Sequence, residues 1–476
     1  MDKIKKYRKV YYEILQALNT EHSIILLIGL RRMGKTYILE QLANEPGGYY
    51  VDFREHDYDA DNYYELLKDN ENNLLLLDEV GYLEGFDDYF GRLLEDLKGT
   101  GKKIVMASSA YGTMKQLAKE KLGGGRAHVI ELFPLDFEEY LYFSGKMQNY
   151  AEEYSPSEQD IWDYFRLEGI AEGMKFIIDE RYITDTFSDI KVARDNQYGT
   201  IRDVILDERQ CASVHDVLAY SLGIRPSVKR LTGMAQIGVR ELGDTRGIKI
   251  KESLISKANV GVQKLSISDL SKILAQLYHG GFLFAEIITN EESTQSYSGI
   301  INDLLSVKID SELKEILSKY NLSVISPLFY TRLMVNLELV ADRIIKSEEN
   351  NALLGDLFEL AMKAETVYQR GFQEYHIAYK YSKNLKEVDI IHKNLIIECS
   401  VGYKENNEHH VDEIYPEQSV IRIVTHGVGK YDSKRKESLR YHRIEFPEAL
   451  LLLSDKSVYD LPILSESDEF PASNNF

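Results

Sequence analysis

Runs of consecutive apolar residues, not alternating ones, punctuate the first third of the chain. Ile24-Ile25-Leu26-Leu27-Ile28, Tyr49-Tyr50-Val51-Asp52-Phe53, Leu74 to Leu77, Ile104-Val105-Met106-Ala107 and Val129-Ile130-Glu131-Leu132 each have the length of a strand. Strands that are apolar on both faces are covered on both sides, as in a parallel sheet. Between the runs the spacing becomes helical. Ile38, Leu39, Leu42 and Ala43 share one face, and helix-like pieces surround Tyr63 to Leu67, Tyr89 to Leu97 and Met114 to Leu117. This alternation predicts a five-stranded parallel sheet with helices on both faces, which gathers ligands at the carboxyl ends of its strands.

The pattern changes beyond residue 148. From Asn149 to about Glu168 the chain is acidic and aromatic, a solvated helical surface with a domain boundary near Pro156, and Tyr182 to Leu222 reads as helical. Ser268 is the expected cap of an amphipathic helix in which Leu270, Ile273, Leu274 and Leu277 share a face; Gly280-Gly281 ends it, and Phe282 to Ile288 follows as a strand. Later, Leu354 to Glu359 opens a helix-like segment. Glu387 to Ile391, Leu395 to Val401, Ser419 to Val424 and Ala449 to Leu453 read as the strands of a second sheet. A chain of 476 residues exceeds one hydrophobic core. The organisation read here is 1–148, 149–320, 321–462 and a polar tail, 463–476.

A formal net charge of −20 argues against a surface that is basic throughout, so any nucleic-acid contact must be local. Cys211 and Cys399 stand far apart without CxxC spacing, which indicates neither a disulfide framework nor a zinc site. A reducing, cytoplasmic setting fits. No apolar signal core follows Met1 and no stretch is long enough to span a bilayer, so no membrane partner is expected.

The first apolar run leads straight into Gly29-Leu30-Arg31-Arg32-Met33-Gly34-Lys35-Thr36, which meets G-x-x-x-x-G-K-[ST] at every fixed position, strand before and helix after. Gly29 and Gly34 allow backbone angles that let successive N–H groups curl around phosphate oxygens. The candidate nucleotide cradle is therefore Gly29, Arg31, Arg32, Met33, Gly34, Lys35, Thr36 and Tyr37. Lys35 supplies charge for the β- and γ-phosphates, and Thr36 a hydroxyl for Mg2+. The third run ends in Asp78-Glu79, where Asp78 would hold the magnesium shell and Glu79 prepare the attacking water. The fourth ends in Ser108-Ser109, where Ser108 is the candidate γ-phosphate sensor, and Asp52 or Arg54 after the second run would stand behind the site. The expected cofactors are ATP and Mg2+.

Together with Gly124-Gly125-Arg126 and Glu131-Leu132-Phe133-Pro134-Leu135-Asp136-Phe137-Glu138-Glu139-Tyr140-Leu141, these motifs resemble the prokaryotic archaeal-type AAA ATPases, a STAND-related branch. The paired arginines in the loop and the Gly-Arg followed by Pro-Leu-x-Phe-x-Glu-Tyr are its specific parts. The resemblance implies an N-terminal parallel-sheet P-loop AAA-type ATPase domain, a helical lid and winged helix, and a C-terminal nuclease-like α/β domain. It also implies that Arg126 faces the γ-phosphate, in its own subunit or a neighbour's, and that such proteins work as homo-oligomers.

The C-terminal pattern resembles a PD-(D/E)xK nuclease, with Glu359, Asp389 and Glu398 in the places of the metal-binding acids. Residue 400, on the same strand face as Glu398, is serine where that motif has lysine, and Lys404 reaches back only if the chain turns at Gly402. Two basic islands, Arg225 to Lys251 and Lys430 to Arg443, are candidate phosphate contacts for DNA. Two uses of the ATP cycle stay open on the sequence. One is an ATP-dependent enzyme acting on or sensing nucleic acid; the other is a signalling or scaffolding switch whose C-terminal domain binds a protein partner without cutting.

Overall fold

The five apolar runs form one parallel sheet in the computed structural model, which describes residues 6–19, 24–55, 60–97, 99–120, 127–150, 152–167, 266–287, 297–324, 351–370, 390–392, 395–401, 419–425 and 441–454, with single positions at 170, 186, 188 and 192. The chain divides into two compact units, the first holding Met1–Leu135 together with Ala171–Asp207 and His279–Phe282, and the second holding Asp136–Ile170, Glu208–Tyr278 and Leu283–Phe476.

In the first unit, helix α1 (Lys9–Leu18) precedes β1 (Ile24–Gly29), α2 (Lys35–Ala43), β2 (Gly48–Asp52), α3 (Ala60–Lys68), β3 (Leu74–Asp78), a 3-10 turn (Val80–Tyr82), α4 (Phe86–Leu97), β4 (Lys103–Ser108), α5 (Tyr111–Glu120) and β5 (Ala127–Leu132). The strand order is β2-β3-β4-β1-β5, every pair parallel. Every residue of β1 is buried, because it lies between β4 and β5 at the middle of the sheet. Ile38, Leu39 and Leu42 of α2 are fully buried, as their shared face predicts. The sequence leaves the strand order open. With β4 inserted between β1 and β3, and Ile28 in register with Ser108, the serine pair lies between the phosphate loop and the acid pair.

The second unit opens with α6 (Phe137–Ser144), whose start is fixed by a capping box: Asp136 accepts from the Glu139 N–H at 2.7 Å and Glu139 reaches back to the Asp136 N–H. Helix α7 (Glu158–Arg166) begins with a second such box, Ser157 with Asp160. Then come α8 (Ile267–His279), β6 (Leu283–Ile287), α9 (Tyr297–Ser306), α10 (Asp310–Lys319) and β7 (Tyr320–Val324), with β6 and β7 antiparallel. The Leu270, Ile273, Leu274 and Leu277 face of α8 is fully buried. Its cap is Ser266 rather than Ser268: the Ser266 hydroxyl accepts from the Asp269 N–H at 3.1 Å, and the helix already includes residue 268. Helix α11 (Asn351–Arg370), strands β8 (Ile390–His392), β9 (Leu395–Val401), β10 (Ser419–Thr425) and β11 (Tyr441–Glu445), and α12 (Phe446–Leu453) complete the described elements. Their sheet order is β11-β10-β9-β8, with only β8 antiparallel. Ala449 to Leu453, expected as a strand, lies in α12 instead, and Pro447 at the second residue of that helix suits a helix start.

One buried acid organises the helices of this unit. Glu365 of α11, 1% exposed, accepts from the Phe137 N–H at 3.0 Å, the Ser454 hydroxyl at 3.0 Å and the Tyr164 hydroxyl at 3.2 Å. The Tyr164 hydroxyl is held well above its ordinary pKa, first by burial and then by the Glu365 charge. Phe358 and Phe446 pack against each other with ring centres 3.9 Å apart.

Candidate nucleotide site

The loop between β1 and α2 has the handedness that an anion cradle needs. Arg32 (φ 62°) and Gly34 (φ 95°) are both left-handed, flanking Met33, and such alternation turns successive N–H groups toward one concave side at a helix N-terminus. Gly29 is needed for a different reason: a Cβ there would meet the Leu132 carbonyl oxygen of β5 at 2.3 Å. Lys35 is 4% exposed and lies back along the loop, donating to the Gly29 and Leu30 carbonyls at 2.8 Å each. Arg31, Arg32, Thr36 and Tyr37 are half-buried. The Tyr37 hydroxyl donates to the Lys6 carbonyl at 2.8 Å.

Across from the loop, Thr36 Oγ1 donates to Asp78 Oδ2 at 2.6 Å, and the Tyr50 hydroxyl reaches the same oxygen at 3.0 Å. Asp78 is fully buried and its pKa is raised, mainly by desolvation and then by Glu79, against the opposing pull of Thr36, Lys35 and Arg54. Tyr50 is pushed up by burial and by Asp78. Asp52 and Arg54 form a bidentate pair with Nη2 to Oδ2 at 2.5 Å, which raises the Arg54 pKa, and the guanidinium stands 3.9 Å from Asp78. Thr36 and Asp78 are hard oxygen donors on one spot, the kind of partial set that Mg2+ accepts when phosphate and water supply the rest. Among the described residues no three His, Cys, Asp or Glu gather as a separate metal site.

Glu79 is 5% exposed and sits in the left-handed region (φ 50°), an uncommon conformation for a non-glycine residue. Its carboxylate is held by one residue at both oxygens: the Ser109 hydroxyl donates to Oε1 at 2.6 Å and the Ser109 N–H to Oε2 at 2.9 Å. Ser108, the expected sensor, instead accepts from the Ala110 N–H at 3.2 Å. Ser109 is thus the polar residue of this loop that meets the acid pair, and the one-residue choice is made by the turn after β4. Sequence reasoning also misses Tyr50; its alternation with Asp52 on an edge strand is the available signal.

Arg126 lies outside the described residues, as do Asp389 and both basic islands apart from Arg443 on β11. Glu398 is on β9, opposite Arg422 of β10 in register. Glu359 of α11 is ion-paired with the buried Lys363 one turn on, at 2.7 Å.

A glycine-bounded loop, a buried lysine and a threonine–aspartate bond at the carboxyl end of a parallel sheet define a P-loop nucleotide-binding domain. Residues 21–141 match the family profile described as an AAA domain. No curated protein gives a significant match to the sequence. Among solved structures, the chain is similar to a Walker-type ATPase of Pyrococcus abyssi, with 14% identity, 69% of this chain and 95% of that one covered and a TM-score of 0.36. It is also similar to AMPPCP-bound DnaA from Aquifex aeolicus (14% identity, 58% and 87% covered, TM-score 0.27) and to the RuvB Holliday junction branch migration motor of Thermotoga maritima (13% identity, 60% and 90% covered, TM-score 0.26).

Proposed function

We propose that the N-terminal unit binds ATP and hydrolyses it with Mg2+, and that this cycle controls the C-terminal α/β domain. The observation that carries the reading is the 2.6 Å bond between Thr36 and the buried Asp78, which brings the loop and the acidic strand end to one point. The loop N–H groups and Lys35 neutralise the phosphates, while Thr36 and Asp78 are the ligands offered to the metal. When bound, Mg2+ would offset charge on the phosphates. Glu79, oriented by Ser109, takes a proton from the attacking water. Arg126 is assigned the γ-phosphate on the family resemblance. Phosphate release by wild type, Lys35→Ala and Glu79→Gln tests the whole: the first variant should lose ATP binding, and the second should hold ATP without turnover. Undiminished hydrolysis in either refutes the assignment.

For the target of the cycle, the mixed sheet β11-β10-β9-β8 with α11 beside it supports a nuclease-like domain, with Glu359, Asp389 and Glu398 as the candidate acids and DNA as the candidate substrate. The order α8-β6-α9-α10-β7, with β6 and β7 paired, supports a winged helix. One observation favours the second reading, a switch that contacts a protein partner. Helix α10, which a winged helix would lay in a DNA groove, carries Asp310, Glu312 and Glu315 against Lys314 and Lys319, and both lysines are ion-paired along the helix with Asp310 and Glu315. Such a face repels phosphate. A magnesium-dependent plasmid-cleavage assay with wild type and Asp389→Ala separates the two: cleavage lost in the variant supports the enzyme, and cleavage by neither supports the switch. A cytoplasmic location and ATP-dependent self-association belong to the same proposal. Among the described residues no helix is long and apolar enough to cross a membrane.

A further inference from the structure

The left-handed turns at Arg32 and Gly34 aim N–H groups to the concave side of the loop and so send carbonyls to its outer side. Buried carbonyls need donors. The one after Met33, a residue 1% exposed, receives its donor from far upstream: Arg8 Nη1 donates to the Met33 carbonyl at 2.7 Å. The same guanidinium holds the Phe133 carbonyl at 3.0 Å and the Pro134 carbonyl at 3.2 Å. Arg8 itself is 3% exposed and stands at the N-cap position of α1, where its own carbonyl accepts from the Tyr11 N–H at 3.0 Å. Its neighbour Lys6 is held in turn, its carbonyl taking bonds from Tyr37 at 2.8 Å and from Gln41 at 2.7 Å on α2. The segment before α1 is therefore built against the back of the phosphate loop, although the AAA profile begins only at residue 21.

We infer that Arg8 is a positioning residue for nucleotide binding: it fixes the phosphate loop in its anion-binding conformation by clamping the outer carbonyl of Met33 to the backbone that follows β5. A planar fork with several donors can join three carbonyls at fixed angles, and its permanent charge strengthens each bond. It touches no phosphate. Its effect falls on the ground-state grip of the loop, so binding of ATP and ADP should weaken together while turnover of bound ATP persists. The inference rests on the ATP-binding reading above.

The test is calorimetric titration of Mg-ATP and Mg-ADP into full-length wild type, Arg8→Met and Arg8→Lys, with steady-state phosphate release and near-UV circular dichroism on the same samples. Loss of a charge-assisted hydrogen bond predicts roughly 10-fold or more weaker binding of both nucleotides in Arg8→Met, a matching rise in KM, and kcat within about twofold of wild type. Arg8→Lys, with charge but no fork, should fall between. Unchanged binding in a folded Arg8→Met protein overturns the inference, as does a fall in kcat at constant KM. Should Arg8→Met fail to fold, the Arg8→Lys titration decides, and unfolding of both assigns Arg8 to the core and overturns it equally. Failure of the wild type to bind either nucleotide would instead refute the ATP-binding reading.

Discussion

Replacing Ser109 by alanine removes one bond from the candidate base and leaves its neighbour bond in place. The hydroxyl lies 2.6 Å from Glu79 Oε1, Ser109 is fully buried, and Glu79 is 5% exposed, so water cannot fully replace the lost donor. A hydrogen bond to a buried carboxylate contributes about 1.5–3 kcal/mol. The backbone bond to Oε2, at 2.9 Å, survives the substitution and keeps the group nearby but free to pivot. If the hydroxyl's whole contribution goes into aligning Glu79 with the attacking water, kcat falls by about 10- to 100-fold. KM for ATP should stay within about twofold, because Ser109 binds the acid and not the loop. The assay is steady-state phosphate release from wild type, Ser109→Ala, Ser109→Thr and Ser108→Ala. Threonine retains the hydroxyl and should retain most of the activity. Ser108 makes a 3.2 Å turn bond to the Ala110 N–H, so its alanine variant should lose little. Full activity in Ser109→Ala, or an equal loss in Ser108→Ala, would refute this assignment of the two serines.

Three more outcomes follow from the geometry. Lys35→Met should weaken ATP binding by roughly three orders of magnitude, since a unit charge about 4 Å from phosphate is worth about 4 kcal/mol at an effective dielectric near 20; an affinity within tenfold of wild type, by calorimetry, would contradict it. The folded-state pKa of Asp78 is raised, so its contribution to stability is complete below the unfolded carboxylate range and is lost as pH rises through the folded value. The melting temperature of nucleotide-free Asp78→Asn minus wild type should accordingly grow from acid to neutral pH, and a flat or falling difference in thermal scans would be the wrong result. Glu365→Leu withdraws one acceptor from Phe137, Tyr164 and Ser454 at once and should destabilise the second unit by roughly 3 kcal/mol or more; hydrogen exchange at the α6 amides should rise, and unchanged protection there would count against the role given to that acid.

What can be read from the sequence is what the chain writes locally. The strands that end in Gly29, Asp78 and Ser108 are continuous apolar runs, and the loop motif and the acid pair follow them within a residue or two. Their meeting needs only the parallel-sheet rule. The helical face of α8 is equally plain, while its cap shifts from Ser268 to Ser266 because both serines suit the position and only the backbone angles choose. Alternation cannot tell a short buried helix from a short buried strand, which is why residues 449–453 read as a strand and fold as a helix. The choice of Ser109 over Ser108 depends on the direction of the chain after β4. Arg8 and Glu365 leave no sequence signal at all: an arginine near a chain end and a glutamate in an amphipathic helix look solvated until folding carries them 125 and 228 residues away along the sequence to their partners.

The reach of Glu365 bears on how the protein is made. Helix α6 begins inside the AAA profile, yet the first N–H of that helix is satisfied by a residue of α11, and Ser454 beyond α12 closes the same cluster. During synthesis the amino-terminal sheet can assemble as soon as β5 leaves the ribosome, whereas the start of α6, though capped locally, can dock on α11 only after residue 365 has emerged. Over the 228 residues that separate Phe137 from Glu365, a nascent chain would thus carry an uncovered aromatic helix end, a natural place for a chaperone to hold on.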